Sequence, residues 1–454
     1  MERENLKSRL GFILVSAGCA IGIGNVWRFP YVVGQNGGGI FVFFYILFLI
    51  ILGMPVLTME FAMGRKSRKS IVCVYDELVP GDNKWKIHST LASLGNYILM
   101  FFYTTVSGWM LNYFFKYITG SISYVTVEES SNLFVNMVSD TKGMLFWMAI
   151  IVVLGIIICS IGLQKGVERI TKVMMLALLA LIIVLAVNSL MLPGAKEGLR
   201  FYLYPDINDI KEIGIGKVIS AAMNQSFFTL SIGMGGMLIF GSYMPKDHAL
   251  LGESISVEVL DTFVAVLSGL IIFPACFSYG VEPDSGPNLI FVTLPKIFAE
   301  MSGGRIWGAL FFLFMTFASL STIIAVFENI ICICMDKFHW SRKKSAFINF
   351  FILLIGSVPC ALGFNVLSYI QPLGAGTGIM DLEDFIVSNV LLPGGSLIVV
   401  LFCCNKFGWG FDNYLKEVNE GVGVKMPRWI YGYCKYVLPI IVFVILVQSI
   451  SAVF

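Results

Sequence analysis

Charged residues are scarce in this chain of 454 residues. Asp, Glu, Lys and Arg together make up 13% of the sequence, hydrophobic residues make up 57%, and the mean hydropathy is +0.83. Soluble domains carry about 25% charged residues, so this composition excludes an ordinary soluble protein and indicates a polytopic membrane protein. A basic start (Arg3, Lys7 and Arg9) precedes a first apolar run that is too long for a signal peptide, so we expect no cleavable leader.

Histidine and paired cysteines are also rare. The sequence has three histidines and ten cysteines, and no two cysteines have the C-x-x-C spacing. Most cysteines lie inside apolar runs, where cysteine behaves as a small hydrophobe, so we expect no structural disulfide. His88, His248 and His339 fall near predicted loops on the N-terminal side. The sequence shows no metal cluster, acid–base pair, phosphate loop or nucleic-acid signature, so we expect neither an enzyme nor a nucleic-acid partner.

Long apolar runs, by contrast, are frequent. Hydropathy predicts an all-α integral protein of the lipid bilayer with about eleven transmembrane helices, at residues 10–35, 39–63, 89–118, 144–161, 168–191, 217–243, 255–279, 305–335, 346–363, 383–404 and 433–453. Of the 31 Lys and Arg residues, 22 lie in segments on the side of the N-terminus and 8 on the opposite side. This asymmetry predicts a cytoplasmic N-terminus, with the chain in a plasma (inner) membrane.

The first span contains an unusual break. Its apolar pattern is interrupted at residues 18–25, GCAIGIGN, near the bilayer midplane. Each glycine costs about 1 kcal/mol of helix propensity relative to Ala, and irregular backbone at that depth must line a cavity within the protein. Such a break offers bare carbonyls to a cation and bare N–H groups to an anion. A small-residue packing face is the alternative, but the nearby Asn25 and Arg28 favour a functional site.

The sixth span repeats this break. Residues 221–230 are typical of half a helix, residues 231–236 (SIGMGG) interrupt it near mid-depth, and apolar character resumes at Met237. Interrupted helices at corresponding positions of two oppositely oriented halves are typical of an inverted-repeat transporter with its site at the breaks. We therefore predict a 5+5 inverted repeat. Its parts are one repeat at 1–195, a second at 196–407, and a cytoplasmic linker with the eleventh helix at 408–454. The amphipathic segment 405–432 is expected to be solvated.

Several other polar residues fall inside predicted spans. For Glu60 and Glu328 we favour structural pairing between helices, whereas Asp261, early in the seventh span, is a candidate for the site. The hydroxyls at 319–322 either bond back to their own helix or contribute to a site. Outside the spans, the apolar stretch around 285–302 either caps a vestibule or forms an interfacial helix.

Five stretches form longer motifs: GNVWRFPYVVGQNGGGIF at 24–41, GMPVLTMEFAMGR at 53–65, FFTLSIGMGG at 227–236, SGPNLIFVTLP at 285–295 and residues 380–384. Together they closely resemble the neurotransmitter:sodium symporter family, in particular its bacterial amino-acid transporters. The likeness covers essentially the whole chain, and the first two motifs are too long to match by chance.

The resemblance implies two sodium sites. The first would use the Ala20 carbonyl, the side chains of Asn25, Thr229 and Asp261, and the carboxylate of the substrate, with Asp261 in place of the family's frequent Asn. The second would use the carbonyls of Gly18, Ile21 and Ala318 and the hydroxyls of Ser321 and Thr322. Hard oxygen donors of this kind suit a hard cation.

The resemblance also implies a substrate site and two gates. The substrate carboxylate would meet backbone N–H groups around Gly22 and Gly24 and the hydroxyl of Tyr103. The surrounding pocket would draw on Cys19, Ala20, Ile23, Leu99, Phe228, Thr229, Ser231, Met234, Thr322, Ile323 and Val326. The outer gate would pair Arg28 with Asp384, helped by Gln225 and Phe228, and the inner gate would pair Arg3 with Asp336, near Ser242 and Tyr243.

Three positions depart from the patterns of that family. Monoamine-transporting relatives carry Asp where this chain has Gly22. Chloride-dependent relatives carry Ser four residues after the site-forming residue of span seven, where this chain has Ala265, so we expect no chloride requirement. Family members often place Pro ten residues after the glycine that opens span five, where this chain has Leu176, which leaves open whether span five unwinds.

These features predict a secondary active symporter that couples two sodium ions to a hydrophobic L-amino acid by alternating access, with aromatic amino acids among the candidates. The alternative is a receptor of the same fold that senses an amino acid without transporting it. A channel fits less well, because paired gates imply an occluded state.

Overall fold

The computed structural model describes residues 3–122, 127–205, 213–280 and 289–451. Its helices are α1 Arg9–Ala20, α2 Phe29–Gln35, α3 Gly39–Ser67, α4 Val74–Leu78, α5 Lys86–Thr119, α6 Val127–Ser139, α7 Thr141–Ile161, α8 Leu163–Leu190, α9 Ala195–Leu203, α10 Ile215–Thr229, α11 Gly236–Gly241, α12 Leu250–Ser278, α13 Leu294–Glu300, α14 Gly304–Phe338, α15 Arg342–Leu362, α16 Ile379–Cys404, α17 Phe411–Val418 and α18 Ile430–Ser451. Within these residues the only strand-like contact is an isolated bridge between His248 and Val422.

The long apolar runs form long helices, as hydropathy predicts. In the described part of the chain nine helices are long and apolar enough to cross a membrane, and α1 with residues 24–35 adds a tenth as a bent pair. Each of the eleven predicted spans falls on helix, but the count of eleven is not confirmed. The sixth span is divided between α10 and α11, and α11 has only six residues.

The two predicted breaks are present. Helix α1 ends at Ala20, and the chain bends by 57° before helical structure resumes with a wide turn at Gly24–Arg28 that leads into α2. In the sixth span, α10 ends at Thr229 and α11 begins at Gly236. The intervening backbone takes positive φ angles at Ser231 (51°), Gly233 (99°) and Gly235 (75°). Glycine adopts such angles without a steric cost, so the glycines of this stretch allow the helix to unwind.

Helix α14 forms the centre of the molecule. In its most apolar window 83% of the residues are buried, more than in any other long helix of the described chain. It contacts α5 through a buried hydrogen bond of 3.0 Å from Asn329 Nδ2 to Asn96 Oδ1. It also carries the buried Ala318–Thr322 stretch, so hydroxyl groups reach the core at the level of the two breaks.

The segment after α16 is not the solvated linker that its composition suggests. Phe411 and Tyr414 of α17 are buried. Arg65, fully buried at the end of α3, donates to Glu417 Oε1 at 2.7 Å and to the His248 carbonyl at 2.7 Å. An amphipathic helix and its acid are thereby fixed to α3, because an unpaired arginine buried at that depth would be costly.

An exposed ion pair extends this attachment. Lys246 donates to Glu420 at 2.9 Å, and this hydrogen bond lowers the pKa of the Glu420 carboxyl below its usual range. Exposed pairs contribute little to stability, so the buried Arg65–Glu417 contact is the stronger one.

Two further expectations are resolved here. Helix α8 begins with a wide turn at Leu163–Glu168 and then continues without a break through Leu176 to Leu190. Span five is therefore continuous in this conformation. In the outer segment, residues 285–288 lie outside the described residues. Helix α13 places Leu294, Ile297 and Phe298 in the core, so this part is packed against protein and is not an interfacial helix.

Candidate functional site

The break in the first span turns backbone groups toward a tyrosine. The N–H of Ile23 donates to the Tyr103 hydroxyl oxygen at 2.8 Å, and the N–H of Gly22 donates to Asn25 Oδ1 at 3.2 Å. A Cβ at Gly22 would lie 2.1 Å from the Tyr103 hydroxyl and 2.5 Å from Thr322 Oγ1. A Cβ at Gly24 would lie 2.7 Å from the Phe228 ring. Close packing therefore leaves no room for a side chain at either glycine.

A first cluster of oxygen atoms lies beside this break. Asp261 of α12 accepts from Asn25 Nδ2 at 2.7 Å on one carboxylate oxygen and from Thr229 Oγ1 at 3.0 Å on the other. All three side chains are buried. The wide turn of the first span, the end of α10 and α12 thus meet at one carboxylate.

A second cluster lies where α1 contacts α14. Thr322 Oγ1 is 3.3 Å from the Gly18 carbonyl oxygen and 3.2 Å from that of Ile21. Ser321 Oγ is 3.4 Å from the Ile21 carbonyl oxygen and 2.9 Å from that of Ala318. Oxygens that surround one cation at about 2.4 Å lie roughly 3.4 Å apart. Five oxygens with this spacing and no softer donor fit a hard cation.

A small cavity lies between the two breaks. Its lining combines aromatic, aliphatic and hydroxyl groups, contributed by Ala20, Gly24, Leu99, Tyr103, Phe228, Ser231, Met234, Thr322 and Leu392. Eight of these nine residues were predicted from the sequence. The exception, Leu392, belongs to α16, where it follows a wide turn at Ile386–Leu391 and precedes Pro393. Such turns are frequent at functional sites. The Leu392-Pro393 pair inside an apolar run was therefore the sequence signal that could have identified Leu392 as a lining residue.

Other predicted pocket residues lie nearby without lining the cavity: Cys19, Gly22, Ile23, Thr229, Ile323 and Val326. Ile323 instead faces α7, where a Cβ on Gly155 would lie 3.1 Å from its Cγ2. Thr229 contributes to the first oxygen cluster. Cys19 is fully buried, and its carbonyl lies 3.5 Å from Ser231 Oγ.

Buried polar side chains hold the unwound stretch of the sixth span. Glu60 of α3 accepts from the Gly233 N–H at 2.6 Å and from the Leu238 N–H at 3.2 Å, so it has a structural role between helices, with backbone groups as its partners. His88 Nε2 lies 2.7 Å from the Gly233 carbonyl, and Asn96 donates to the Met234 carbonyl at 3.0 Å. The sequence placed His88 near a loop, and nothing in its neighbours signalled this role.

Glu328 does form an interhelical pair. Its carboxylate accepts from Arg342 at 2.6 and 2.9 Å and from the Tyr243 hydroxyl at 2.6 Å.

The two predicted gates differ in this structure. On the N-terminal side, Arg3 donates to Asp336 at 3.1 Å and to Ser242 Oγ at 3.1 Å, and its guanidinium lies 5.4 Å from the centre of the Tyr243 ring. The amide N–H of Ser70 donates to the other Asp336 oxygen at 2.7 Å.

On the opposite side the expected pair is not formed. Arg28 and Asp384 make no ion pair among the described residues: the guanidinium lies 4.1 Å from the centre of the Phe228 ring, and Asp384 accepts from Ser388 at 2.6 Å. One guanidinium nitrogen of Arg28 is buried without a partner. Gln225 donates to the Gly24 carbonyl at 3.1 Å, so it links the two breaks rather than the gate.

Comparison with known proteins agrees with this architecture. The family model described as "Sodium:neurotransmitter symporter family" matches residues 3–136 and 133–453. A sodium-dependent transporter of Bacillus subtilis is 32% identical, with 98% of this chain and 97% of that protein aligned. The sodium-dependent serotonin transporter of Drosophila melanogaster is 27% identical, with 99% of this chain and 76% of that protein aligned.

A solved structure agrees as well. The crystal structure of MhsT in complex with L-phenylalanine superposes with a TM-score of 0.89 at 37% identity, and the match covers 99% of this chain and 100% of MhsT. The broken helices, the oxygen clusters and these matches lead to one assignment: the chain belongs to the sodium:neurotransmitter symporter family, whose members are sodium-coupled membrane transporters and not enzymes.

Proposed function

We propose that this chain is a symporter that couples sodium to the uptake of hydrophobic L-amino acids, aromatic ones included. One observation supports this most directly: a cavity with apolar walls lies between two broken helices and is flanked by two buried clusters of oxygen atoms. Leu99, Phe228, Met234 and Leu392 would receive an apolar side chain. The carboxylate of the amino acid would meet the N–H groups near Gly22 and the Tyr103 hydroxyl. The complex of MhsT with L-phenylalanine is consistent with such a substrate.

We further propose that two sodium ions are carried with each substrate molecule. The first would bind at Asn25, Thr229 and Asp261 with the Ala20 carbonyl and the substrate carboxylate. The second would bind at Ser321 and Thr322 with the carbonyls of Gly18, Ile21 and Ala318. Both sets consist of oxygens, which suits sodium, and both include groups from the broken first span, so ion binding and the position of α1 are coupled.

Alternating access would follow from the two gates. If the N-terminus lies in the cytoplasm, as we propose, the Arg3–Asp336 contact would close the inner side. The separation of Arg28 from Asp384 would then correspond to an outward-facing arrangement. Substrate binding would bring Arg28 to Asp384. We place the inverted repeats at 1–195 and 196–407 and the added segment at 408–454 of a plasma-membrane protein.

Counterflow in proteoliposomes tests transport against the receptor alternative. Labelled leucine or phenylalanine should enter vesicles preloaded with the unlabelled amino acid, and only with sodium present. Sodium-dependent binding without counterflow would instead assign a sensor.

A competition series tests the pocket. Leu, Ile, Met and aromatic amino acids should compete, because Met234 is adaptable and the walls are apolar. A charged amino acid such as Lys or Glu that binds best would contradict the assignment of the cavity.

A further inference from the structure

A second cavity, remote from the transport site, lies between the chain that precedes α1 and the first turns of α8. Its volume is about 420 Å³, and its lining includes Lys7, Arg169 and Lys172. The same cavity is lined by two aliphatic residues of α8, Val173 and Leu176, whose side chains are 64% and 55% exposed. It therefore combines cationic groups with an apolar wall that faces outward.

The charge of this cavity is not balanced by protein. None of Lys7, Arg169 and Lys172 forms an ion pair within the described residues. The one acid in the lining, Glu168, is buried and already engaged, because its Oε2 accepts from the Lys7 backbone N–H at 3.0 Å. Its Oε1 lies 2.2 Å from where a Cβ on Gly11 would be, so this carboxylate is packed against α1. An anionic ligand would therefore find three cations against one carboxylate, and that carboxylate is held by the Lys7 N–H and by packing against α1.

The polarity of the lining changes along the membrane normal. A helix rises 1.5 Å per residue, so Leu176 lies about 10 Å deeper than Arg169 along α8. The cations lie toward the N-terminal face, where long Lys and Arg side chains reach the interface, and the aliphatic residues lie within the hydrocarbon region. A soluble anion would use only the charged end of such a cavity, whereas a phospholipid would use both ends.

We propose that this cavity binds one anionic phospholipid of the leaflet on the N-terminal face. The phosphate would lie among Lys7, Arg169 and Lys172, and an acyl chain would lie along Val173 and Leu176. A lipid in this position joins the start of α1 to α8. Since α1 carries carbonyls of the second oxygen cluster, the bound lipid holds α1 in the position seen here and so favours sodium binding.

The test uses the purified full-length chain in nanodiscs of phosphatidylcholine with about one fifth phosphatidylglycerol. Native mass spectrometry counts the phosphatidylglycerol molecules that each protein retains. Arg169→Gln with Lys172→Gln should lower the retention of phosphatidylglycerol roughly 30-fold, equal to about 2 kcal/mol for two cations near a lipid surface. The matched control removes two exposed cations elsewhere on the same face, Lys343→Gln with Lys406→Gln, and should retain the lipid.

Three further measurements decide between explanations. Arg169→Lys with Lys172→Arg keeps the charge and should keep the lipid. Leu176→Trp keeps every cation but fills the apolar end, so it should also lose the lipid, and it serves if the charge-removing variant does not fold. For the wild type, sodium-dependent amino-acid binding should be weaker in nanodiscs of phosphatidylcholine alone than in nanodiscs that also contain phosphatidylglycerol. For Leu176→Trp, this binding should be the same in both kinds of nanodisc.

Two results would overturn the proposal. Equal loss of lipid in the Lys343/Lys406 control would mean that general surface charge holds the lipid. The second result is that glycerol phosphate displaces the bound phosphatidylglycerol as effectively as short-chain phosphatidylglycerol does. The apolar wall would then contribute nothing, and the ligand would be a soluble anion.

Discussion

At the scale of single residues, close packing around the cavity leaves no space for a larger side chain at Gly22. Gly22 faces the Tyr103 hydroxyl and Thr322 Oγ1 at distances that admit no further carbon atom. In this structure the Gly22 N–H donates to Asn25 Oδ1 and the Ile23 N–H donates to the Tyr103 hydroxyl, so a substrate carboxylate would take the place of these acceptors. The absence of a side chain at position 22 is thus part of the site.

We expect Gly22→Ala, and more strongly Gly22→Asp, to abolish most amino-acid uptake. Overpacking a tight site costs typically 1–3 kcal/mol, which corresponds to a roughly 5- to 150-fold loss of substrate affinity. In Gly22→Asp a carboxylate would in addition oppose that of the substrate. Sodium-dependent binding of labelled phenylalanine measures the effect. Gly216→Ala is the control, because a Cβ at that position meets nothing within 4 Å; normal binding by Gly22→Ala would contradict this placement of the carboxylate.

The hydroxyl of Ser321 offers a test of the second ion site. We expect Ser321→Ala to weaken sodium binding by about 10- to 150-fold, because a hydrogen bond or ligand contact to a charged partner contributes about 1.5–3 kcal/mol. Ser319→Ala is a matched control, since Ser319 Oγ donates to the Thr316 carbonyl and takes no part in the cluster. Sodium titrations of amino-acid binding compare the two. Equal sodium affinities in both variants would remove Ser321 from the site.

Asp261 is the residue on which chloride independence should depend. Two sodium ions and a zwitterion buried together need a compensating negative charge, because unpaired charge in a low dielectric is costly. Asp261 provides one as a fixed carboxylate, and Ala265, one turn later, offers no hydroxyl to an anion. Uptake by the wild type should therefore be unchanged when gluconate replaces chloride.

The same argument predicts that Asp261→Asn loses sodium affinity by about 10- to 100-fold in chloride-free buffer. Chloride should restore part of that affinity only when Ala265→Ser is added. Initial uptake rates of the three proteins in chloride and in gluconate provide the measurement. A wild-type rate that collapses in gluconate would show that Asp261 does not carry the compensating charge.

At the scale of elements, the unwound part of the sixth span is held from several helices at once. Glu60 of α3 binds its N–H groups, while His88 and Asn96 of α5 contact its carbonyls. Freed backbone groups need partners within a membrane, and these side chains supply them. The break is therefore a fixed structure that positions Ser231 and Met234 at the cavity.

The start of the chain acts as an element of its own. Arg3 links α14 through Asp336 to the end of the sixth span through Ser242, and the Arg3 and Asp336 side chains are only 9% and 13% exposed. We expect Arg3→Ala to favour the inward-open state, since Asp336 loses its ion pair. A change of one to two kcal/mol would raise the open population about 5- to 30-fold.

Cys332 reports this change directly, because it is 1% exposed and lines a cavity on the N-terminal side together with Arg3 and Asp336. In a Cys73→Ser background, which leaves only buried cysteines, Arg3→Ala should speed the labelling of Cys332 by a thiol reagent. Lys337→Ala, a neighbouring exposed cation, should not. Unaltered labelling of Cys332 in Arg3→Ala would show that this contact is not a gate.

The sequence predicted the elements better than it predicted their faces. Glycine clusters in otherwise apolar runs located both breaks, because glycine costs helix stability wherever it occurs. Within α14, however, Thr322 lines the cavity and Ile323 faces α7. Neighbouring residues of a helix point about 100° apart, so both could not line one small cavity. Leu392 lines the cavity and His88 contacts Gly233, and both contacts join residues far apart in the sequence. Helix α17 likewise packs on Arg65 through Glu417, a contact that local sequence does not encode.

At the scale of the whole molecule, the structure shows one side closed and the other side unpaired. The contact between Arg3 and Asp336 on the N-terminal side is formed, and Arg28 and Asp384 on the opposite side make no ion pair. The ion clusters lie where α1 meets α14 and where the first span meets α12. Ions bound there would therefore join the first span, which belongs to the first repeat, to helices α12 and α14 of the second repeat. Tight coupling of ions to substrate requires such a link between the two repeats.

Tight coupling makes the number of ions measurable from voltage. Two sodium ions and a zwitterion carry two net charges, so a potential of about 100 mV supplies roughly 4.6 kcal/mol per cycle. This corresponds to an accumulation of about 2,000-fold, whereas one sodium ion would give only about 50-fold. Proteoliposomes with equal sodium on both sides and a potassium diffusion potential isolate the electrical term. The logarithm of the amino-acid ratio, plotted against the imposed potential, should rise with a slope of two charges. A slope of one charge would contradict the two-ion proposal, and a ratio that ignores the potential would contradict coupled transport itself.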